Sequence, residues 1–254
     1  MVNLLIDIGN SDIKTGICGA VISDSKPDFK VKLLSRYPYS KSSFKKDFRK
    51  NFKNINNHVS KYSVNKIGIS VLQTTNRKFI TDFFIKNLKT VPEFIDINSV
   101  DQIKIKYKKG LGNDRICNAV AAETIFQNRN KLIIDFGTAT TYTLVSNKTL
   151  TGGMISPGIK TSLNSLISRT SLPAIPLAFP KNIFNDNTKD NIKSGVLYQS
   201  LFAAERVITE MKKKHGDLFV IATGGYSELT YKKTGLINVI DRNLVLKGIN
   251  IIIS

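Results

Sequence analysis

Residues 132–145 have the sequence LIIDFGTATTYTLV, which predicts an apolar strand ending at Asp135, a tight turn at Gly137 and a second strand rich in β-branched residues. A similar pattern, LLIDIGNSDIKTGI, occupies residues 4–17. When Asp7 is aligned with Asp135, the two copies are 135 − 7 = 128 residues apart, close to half of the 254 residues. A single Asp-x-Gly turn is common, but two strand-bounded copies at this spacing indicate a duplicated architecture.

Hydrophobic periodicity predicts a related order of elements in each half of the chain. In the first half we expect strands ending at Asp7 and at 12–21, 29–36, 66–72 and 92–97, with helices at 42–60 and 76–89. In the second half we expect a connecting helix at 114–127, strands on both sides of Gly137 and at 149–156 and 218–223, and helices at 159–169 and 188–213. Mixed sheets with helices on their faces define an α/β class.

The bulk composition is that of a soluble globular protein, with 41% apolar residues. No secretory signal pattern and no apolar run of membrane-spanning length occurs in the sequence. Cys18 and Cys117 have neither metal-ligand spacing nor a disulfide pattern. Because no low-complexity linker separates the halves, we expect two packed domains, residues 1–112 and 113–254, with a cleft between them. We predict a cytoplasmic protein without a membrane partner.

The formal net charge of +19 has two interpretations. It could attract nucleic acid or a membrane surface, but the basic residues are spread along the whole chain, which suits a general compositional bias equally well. The densest basic segment, residues 41–53, has Phe44, Phe48 and Phe52 at every fourth position, which favours a helix with one buried face over a DNA-binding segment. We therefore expect no nucleic-acid partner, although a basic field would favour anionic ligands such as nucleotides.

The two Asp-x-Gly turns carry the residue types that bind phosphate. Glycine lets a backbone approach closely, and successive amides form a concavity for anions. The candidate donors are Gly9, Asn10, Ser11, Lys14, Gly137, Thr138 and Thr140. Taken alone, Lys14 is equally well explained as a surface lysine. Asp7 and Asp135 end their strands with carboxylates, which could hold a cation directly or through water.

Residues 111–115, LGNDR, come directly before an Ala-rich helical segment. Asn113 or Asp114 could simply be an N-cap. Alternatively, Asp114 could take a proton from a substrate hydroxyl and Arg115 could bind a substrate carboxylate with its guanidinium. The residues themselves leave these two interpretations equal.

Two further Gly-rich turns follow predicted strands. Gly158, in the segment 151–159, could line a substrate or phosphate site or simply make a tight connection. The Thr223-Gly224-Gly225 turn could admit an adenosine against bare backbone or be an ordinary turn. Both histidines, His58 and His215, lie outside these motifs, and we interpret them as structural.

Taken together and in order, these motifs resemble the type III pantothenate kinases, members of the acetate kinase/sugar kinase/heat-shock chaperone/actin superfamily. The resemblance covers essentially the whole chain. It rests on residues 7–14, 112–115, 135–140, 152–158, 171–173, 188–195, 223–225 and 244–248. It implies two duplicated actin-like (ribonuclease H-like) domains and ATP-dependent phosphorylation of pantothenate at its primary hydroxyl, the first step of coenzyme A biosynthesis.

The resemblance also implies roles for particular residues. Asp114 would be the general base and Arg115 the ligand of the pantothenate carboxylate. Asp7 would act through Mg²⁺ and Asp135 would help to hold K⁺ or NH₄⁺. Other substrate-binding positions would be Tyr107, Gly112, Asn113, Gly158 and Thr188, and the nucleotide would meet the phosphate motifs together with Thr223, Gly224 and Gly225. The family forms homodimers whose pocket borrows from the neighbour, so residues 170–173 are expected to contribute there.

The sequence departs from the family pattern at two places. Tyr107 is followed by Lys108, Lys109 and Gly110, without the usual proline and in a shorter loop, so closure of Tyr107 over the substrate is in doubt. Thr143 stands where many relatives have Asp, which puts the potassium dependence in doubt. Two alternatives therefore stay open: a related kinase of a sugar or another hydroxy acid, and a non-catalytic nucleotide-binding regulator of transcription.

Overall fold

The structure is a computed structural model that describes residues 1–19, 30–71, 76–168 and 175–254. The chain divides into two compact units. Unit 1 comprises Met1–Ile103, Lys108–Ile125 and Asn243–Ser254, and unit 2 comprises Lys104–Tyr107 and Phe126–Arg242. Among the described residues, no helix combines the length and the apolar character needed to cross a bilayer.

Unit 1 is built on a five-stranded mixed sheet with the order β3-β2-β1-β4-β5. Its strands are β1 (Val2–Ile8), β2 (Asp12–Gly19), β3 (Val31–Pro38), β4 (Val64–Val71) and β5 (Glu93–Phe94), and its helices are α1 (Phe44–Val59), α2 (Arg77–Leu88), α3 (Asn113–Ile125) and α7 (Leu244–Ile253). β1 is antiparallel to β2 but parallel to β4. β1 and β4 therefore end at the same edge of the sheet.

The phenylalanine ladder of α1 faces the core of unit 1, as the spacing predicts. Phe44, Phe48 and Phe52 are 5%, 2% and 6% exposed. Phe48 and Phe52 meet Phe83 of α2 edge-on, with ring centroids 5.3 and 5.0 Å apart. Edge-to-face contacts of this kind add to the stabilisation from apolar burial. The aromatic residues of the basic segment are therefore explained by packing.

Helices α3 and α7 cross in unit 1 with their backbones in contact. A Cβ atom on Gly248 would lie only 2.7 Å from the Cα of Cys117. Around this crossing, α7 packs into an apolar cluster with both cysteines; its buried members are Leu5, Cys18, Ile95, Cys117, Val245, Leu246, Ile249 and Ile253. The polar pair Asn3 and Asn250 is also buried, and the Asn3 amide donates to the Asn250 oxygen at 3.0 Å. The last helix of the chain is therefore part of the core of unit 1.

Unit 2 contains a six-stranded sheet with the order β11-β10-β7-β8-β9-β6. Its strands are β6 (Lys104–Ile105), β7 (Asn130–Phe136), β8 (Ala139–Ser146), β9 (Thr149–Pro157), β10 (Phe219–Thr223) and β11 (Val239–Ile240), and its helices are α4 (Ile159–Ile167), α5 (Thr188–His215) and α6 (Ser227–Tyr231). Apart from β6, the order β9-β8-β7-β10-β11 repeats that of unit 1, and β7 is again antiparallel to its hairpin partner and parallel to the next strand. The predicted duplication is confirmed.

The structure differs from the sequence-based expectations in three respects. The sequence predicts one boundary between residues 112 and 113, whereas contacts assign α3 and the C-terminal α7 to unit 1, because α3 packs on α7 and β4. The short elements β6, β11 and α6 are not among the predicted ones. The residues at 170–173, which the resemblance assigns to a dimer pocket, lie outside the described residues.

Candidate functional site

In unit 1, Asp7 lies at the sheet edge where β1 and β4 end. Its register partner on β4 is Ser70, which is fully buried. On the other side, Lys14 of β2 is directly opposite Asp7 in the antiparallel ladder. Directly opposed residues project their side chains to the same face of a sheet. The structure thus places the Lys14 ammonium group and the Asp7 carboxylate on one face, as a phosphate or cation site requires.

The turn after β1 is held by Tyr39, a residue that the motif analysis does not identify. The Gly9 amide donates to the Asp12 carbonyl at 3.1 Å, and the Tyr39 hydroxyl donates to the Gly9 carbonyl at 2.6 Å. The Tyr39 amide donates to the Ser11 carbonyl at 3.2 Å. Burial, followed by the nearby charges of Asp12 and Asp7, raises the pKa of Tyr39, so its hydroxyl stays protonated and keeps donating. Tyr39 therefore fixes the turn from one side.

Helix α3 begins beside the same strand ends. The side-chain amide of Asn113 donates to the carbonyls of Val71 and Ile95 at 3.1 and 2.9 Å. Val71 is the last residue of β4, and Ile95 follows β5 directly. Both hydrogens of this amide therefore fasten the helix start to the edge of the sheet. The structure gives Asn113 an anchoring role, which the sequence did not suggest.

Asp114 accepts a hydrogen bond in the first turn of α3, and its burial alters its acidity. Its Oδ1 atom accepts the Arg115 amide at 2.8 Å. Burial raises the pKa of the Asp114 carboxyl, while the amide bond and the charge of Arg115 partly oppose that rise. Arg115 itself is only 3% exposed. Because α3 begins at Asn113, neither Asn113 nor Asp114 occupies the N-cap position, and the N-cap interpretation is wrong. A carboxylate with a raised pKa is a better proton acceptor near neutral pH, which suits the base interpretation of Asp114.

Asp7 and the start of α3 meet at the same strand end of unit 1. Asp7 has its register partner on β4. Asn113, next to Asp114, donates to the carbonyl of Val71 at the end of β4. Cys117 is fully buried one helical turn after Asp114. Its pKa is raised well above the usual value, first by burial and then by the charges of Asp7 and Asp114.

In unit 2, five of the predicted residues form a second cluster, which we call the glycine cluster: Asp135, Gly137, Thr138, Gly158 and Gly224. Thr223 is the register partner of Asp135 on the parallel strand β10. Gly224 has a φ of +89°, and a Cβ there would lie 2.6 Å from the Phe136 carbonyl carbon. The turn after β10 thus runs against the backbone at the end of β7, beside the Asp135 carboxylate.

The Gly137 turn also contacts the start of α4 within the glycine cluster. The Gly158 amide donates to the Thr138 carbonyl at 3.1 Å, and the Thr161 hydroxyl donates to the same oxygen at 2.5 Å. A Cβ on Gly158 would lie 2.8 Å from the Thr138 carbonyl carbon. Only glycine permits this approach, so the Gly158 motif has a demonstrated structural reason.

The remaining predicted residues of unit 2 lie outside the contacts that define the glycine cluster. Thr188 is exposed at the first position of α5, whose N-cap residue Asn187 accepts the Asp190 amide at 2.9 Å. Tyr107 follows β6 and is half-buried. Gly225 continues the turn after Gly224 and precedes Tyr226, whose amide donates to the Phe136 carbonyl at 3.2 Å.

The donor set suits Mg²⁺ on phosphates better than a metal held by protein alone. In the described parts of the chain, no group of three or more His, Cys, Asp or Glu side chains could hold a metal ion. Magnesium keeps several waters and usually takes one or two carboxylates plus substrate phosphates. Asp7 at the sheet edge fits that need. The Asp135 carboxylate lies directly beside the backbone of Gly224, where no side chain covers it.

Comparison with known proteins identifies the family. The model of the type III pantothenate kinase family matches residues 3–210. The type III pantothenate kinase of Petrotoga mobilis is 33% identical over 97% of this chain and 95% of its own length, and that of Legionella pneumophila is 31% identical over 98% and 96%.

Solved structures agree on the fold. The ethanolamine utilization protein EutJ of Carboxydothermus hydrogenoformans matches with a TM-score of 0.55 at 13% identity, over 98% of this chain and 89% of the other. The inorganic polyphosphate/ATP-glucomannokinase of an Arthrobacter species matches with a TM-score of 0.51 at 11% identity, over 98% and 97%. The mixed sheets and their flanking helices are those of the actin-like fold. On the family match and the full-length relatives, this chain belongs to the type III pantothenate kinase family.

Proposed function

We propose that the protein transfers the γ-phosphoryl group of ATP to the primary hydroxyl of pantothenate, the first step of coenzyme A biosynthesis. The family match over residues 3–210 supports this substrate. The observation that carries the proposal is that Asp7 and the start of α3, which carries Asp114, meet at one sheet edge. Asp7 has its register partner on β4, and Asn113 donates to the carbonyl of Val71, the last residue of β4. Phosphoryl transfer needs a base for the attacking hydroxyl and a charged group near the phosphates, and these two carboxylates supply both.

Asp114 is the general base in this proposal. The substrate hydroxyl donates to its carboxylate, and the proton moves to Asp114 as the oxygen attacks phosphorus. Burial, which raises the pKa of Asp114, brings its proton affinity closer to that needed at neutral pH. The bond from the Arg115 amide holds one carboxylate oxygen in place. Asp114 is thereby oriented by its own helix.

Arg115 is the proposed ligand of the pantothenate carboxylate. Its guanidinium presents a planar fork of donors that matches a carboxylate. Arg115 is almost fully buried, so a charge-assisted bond to it would be little weakened by solvent. Asn113 anchors the helix start through Val71 and Ile95 and so positions its neighbours.

The phosphate groups are assigned to the turns of each unit. In unit 1 we assign them to Gly9, Asn10, Ser11 and Lys14, and in unit 2 to Gly137, Thr138, Thr223, Gly224 and Gly225. Magnesium, held by Asp7 through water, would neutralise charge on the transferred group. Asp135 is the proposed ligand of K⁺ or NH₄⁺. Lys14 shares a sheet face with Asp7 and acts as a point charge toward phosphate.

The assembly and the remaining substrate contacts are proposals from the family resemblance. We propose a cytoplasmic homodimer in which Tyr107, Gly112, Gly158 and Thr188 contribute to pantothenate binding. Thr188 is exposed at the start of α5, where a neighbouring molecule could reach it. Sedimentation of the purified protein at several concentrations tests the dimer.

The decisive experiment measures ADP release from ATP and Mg²⁺, with and without pantothenate, in potassium and then in sodium buffer. Pantothenate-dependent turnover is expected, and Asp114→Asn should lower kcat by at least about a hundredfold. Asp101→Asn, the same change at an exposed carboxylate of unit 1, is the matched control and should leave kcat unchanged. Folded protein that binds ATP yet shows no turnover in either buffer would contradict the proposal.

Arg115→Lys separates binding from chemistry. Lysine keeps the positive charge but loses the two-pronged donor geometry. We expect a KM for pantothenate that is higher by at least about tenfold, with kcat changed much less, because a bidentate charge-assisted bond is worth about 1.5–3 kcal/mol. Turnover with a sugar or another hydroxy acid in place of pantothenate would instead favour the related-kinase alternative, and salt-sensitive DNA binding without turnover would favour the regulatory one.

A further inference from the structure

Unit 2 contains a large apolar cavity whose lining residues take no part in the proposed reaction. Its volume is about 560 Å³, within the range of ligand sites. One wall is the face of strands β7, β8 and β9, and the other is the C-terminal part of α5. We call it the α5 cavity. Its central lining residues are Leu132, Tyr142, Leu144, Gly152, Met154 and Met211.

The α5 cavity lies away from the glycine cluster. Leu132 is near the start of β7, three residues before Asp135, and a strand rises about 3.3 Å per residue. Ser146 and His215, which also line the cavity, lie at the end of β8 and the end of α5. The cavity therefore opens toward the opposite end of β7 from the Gly137 turn, so it is separate from the proposed phosphate site.

One reason for the cavity is that β9 places a glycine, Gly152, in its wall. Leu132, Leu144 and Gly152 are consecutive register partners across three strands, so they share one face of the sheet. A Cβ placed on Gly152 would have no neighbouring atom within 4 Å. An aliphatic side chain at this position would fill space that is now open. The cavity opens at the surface, where Met154 and Lys214 are exposed, so a ligand has a path into it.

The end wall of the cavity is fixed by hydrogen bonds. The Asn130 amide donates to the His215 carbonyl at 3.0 Å, and its oxygen accepts the Ser146 hydroxyl at 2.6 Å. Gly216, with a φ of +67°, ends α5 directly after His215 and donates to the Lys212 carbonyl at 2.8 Å. His215 is therefore held in place although it belongs to the last turn of a helix.

His215 lines the cavity at the end of α5. Its Nε2 atom is buried and has no hydrogen-bond partner among the described residues. Because this atom is inaccessible to water, it faces the protein and not the open space of the cavity. The polar contacts for a ligand therefore come from the charged rim.

The rim of the cavity is positively charged. Arg206, Lys214 and Glu210 line it, and Glu210 pairs with Arg206 at 2.8 Å and with Lys213 at 3.3 Å. Lys214 forms no ion pair with any residue that the structure describes. The rim therefore carries two basic side chains and one carboxylate, and that carboxylate is already paired. An apolar interior with a net positive rim fits a ligand with an apolar body and one acidic group.

We propose that the α5 cavity binds a small amphipathic anion, with its apolar body against Leu132, Leu144 and Gly152 and its acidic group at Lys214. The ligand class is an organic acid with a medium-length hydrocarbon or aromatic body. This inference is independent of the proposed kinase activity, since none of these residues is assigned to phosphoryl transfer.

The test uses 1-anilinonaphthalene-8-sulfonate, a fluorescent apolar ring system with one sulfonate, on the full-length protein. Saturable binding to one site is expected, with competition by decanoate and no competition by ATP or pantothenate. Gly152→Leu should weaken binding at least tenfold by filling the cavity. The matched control Gly235→Leu changes another glycine of unit 2 that has open space at its Cβ, and it should leave binding unchanged.

The charged rim is tested separately. Lys214→Glu should weaken binding severalfold and reduce its salt dependence, whereas Lys232→Glu, an exposed lysine outside the cavity, should not. Unchanged binding in both Gly152→Leu and Lys214→Glu would overturn the proposal. Displacement of the probe by ATP, or probe binding that disappears as the protein self-associates, would also overturn it, because the cavity would then be a nucleotide site or an interface between copies.

Discussion

At the scale of single residues, the raised pKa of Asp114, the proposed general base, also affects stability. Its pKa is raised in the folded protein, so the folded state holds the proton more tightly than the unfolded state does. The free energy of unfolding therefore falls as pH rises from the ordinary carboxyl pKa through the raised folded value. Above that pH window, the ionised and buried carboxylate destabilises the folded state, and the ionised form is the one that can accept a proton.

Asp114→Asn should remove this cost. We expect the variant to have a higher midpoint of thermal unfolding than the wild type at pH 7, and the difference to vanish at a pH below the ordinary carboxyl pKa, where Asp114 is protonated in both states. Differential scanning calorimetry across pH measures this. A variant that is less stable at neutral pH would show that the bond from Arg115 outweighs burial.

Gly224 should not tolerate a side chain. Its φ is positive, and a Cβ would meet the Phe136 backbone. Gly224→Ala should lower the free energy of unfolding by at least about 2 kcal/mol, since overpacking and left-handed strain each cost about 1–3 kcal/mol. Urea unfolding measures the loss, and Gly235→Ala is the control without contacts or positive φ. Equal stability of the two variants would show that the backbone at the end of β7 can shift to make room for the added methyl group.

The sequence identified the carboxylates and glycines of these sites because strand ends and Gly-containing turns can be recognised from local patterns. It did not identify Tyr39 or the anchoring role of Asn113. Both act on main-chain carbonyls that are distant in the chain, at Gly9 and at Val71. Local patterns carry no information about which carbonyl a side chain will reach after folding.

At the scale of helices and strands, the crossing of α3 and α7 depends on one glycine. Gly248→Ala would drive a Cβ into the Cys117 backbone, and a helix backbone cannot rotate away as a side chain can. We expect a loss of at least about 2 kcal/mol in the free energy of unfolding, measured in urea.

Gly195→Ala is the control for helix propensity. Gly195 lies within α5, and a Cβ there has no neighbour within 4 Å. This substitution should stabilise the protein by about 0.5–1 kcal/mol, because alanine is the better helix former. A destabilisation by Gly248→Ala no larger than the propensity effect would contradict the close crossing.

Element prediction succeeded where the pattern was long. The strands around Asp7 and Asp135 and the Phe ladder of α1 extend over several repeats of their periods. By contrast, β6 and β11 are two residues each, and they form by pairing with β9 and β10. A two-residue strand has no period to detect, so such elements follow from tertiary pairing.

At the scale of the whole molecule, the rate at which the two cysteines are labelled measures the opening of unit 1. Cys18 and Cys117 are 2% and 0% exposed and share one apolar cluster with α7. Labelling by a thiol reagent therefore requires unit 1 to open. Ile249→Ala removes a fully buried contact of this cluster and should cost about 2–5 kcal/mol, so both thiols should label at least about thirtyfold faster.

The control is Ile208→Ala, the same change at a fully buried position of unit 2. Labelling that responds mainly to Ile249→Ala would show that unit 1 opens as a separate unit. Equal acceleration by both variants would show that the chain opens only as a whole. Ellman's reagent in mild urea distinguishes these results.

The duplicated architecture was predictable because both halves repeat one strand–turn–strand pattern. The division into units was not, since the sequence suggests a single boundary, whereas α3 and α7 both belong to unit 1. The sequence of an apolar helix does not indicate which sheet the helix will cover. The close contact of α7 depends on two glycines without side chains: Gly248 lies against the Cys117 backbone, and Gly68 of β4 lies against Ile249 and Ile253.

The placement of α7 has a consequence for biosynthesis. A ribosome makes the chain from Met1 onward, so the sheet of unit 1 emerges first, but the helix that covers Leu5, Cys18 and Cys117 emerges only after all of unit 2. During that interval the uncovered apolar surface is a natural substrate for chaperones. The core of unit 1 is therefore complete only when α7, made after unit 2, packs against it.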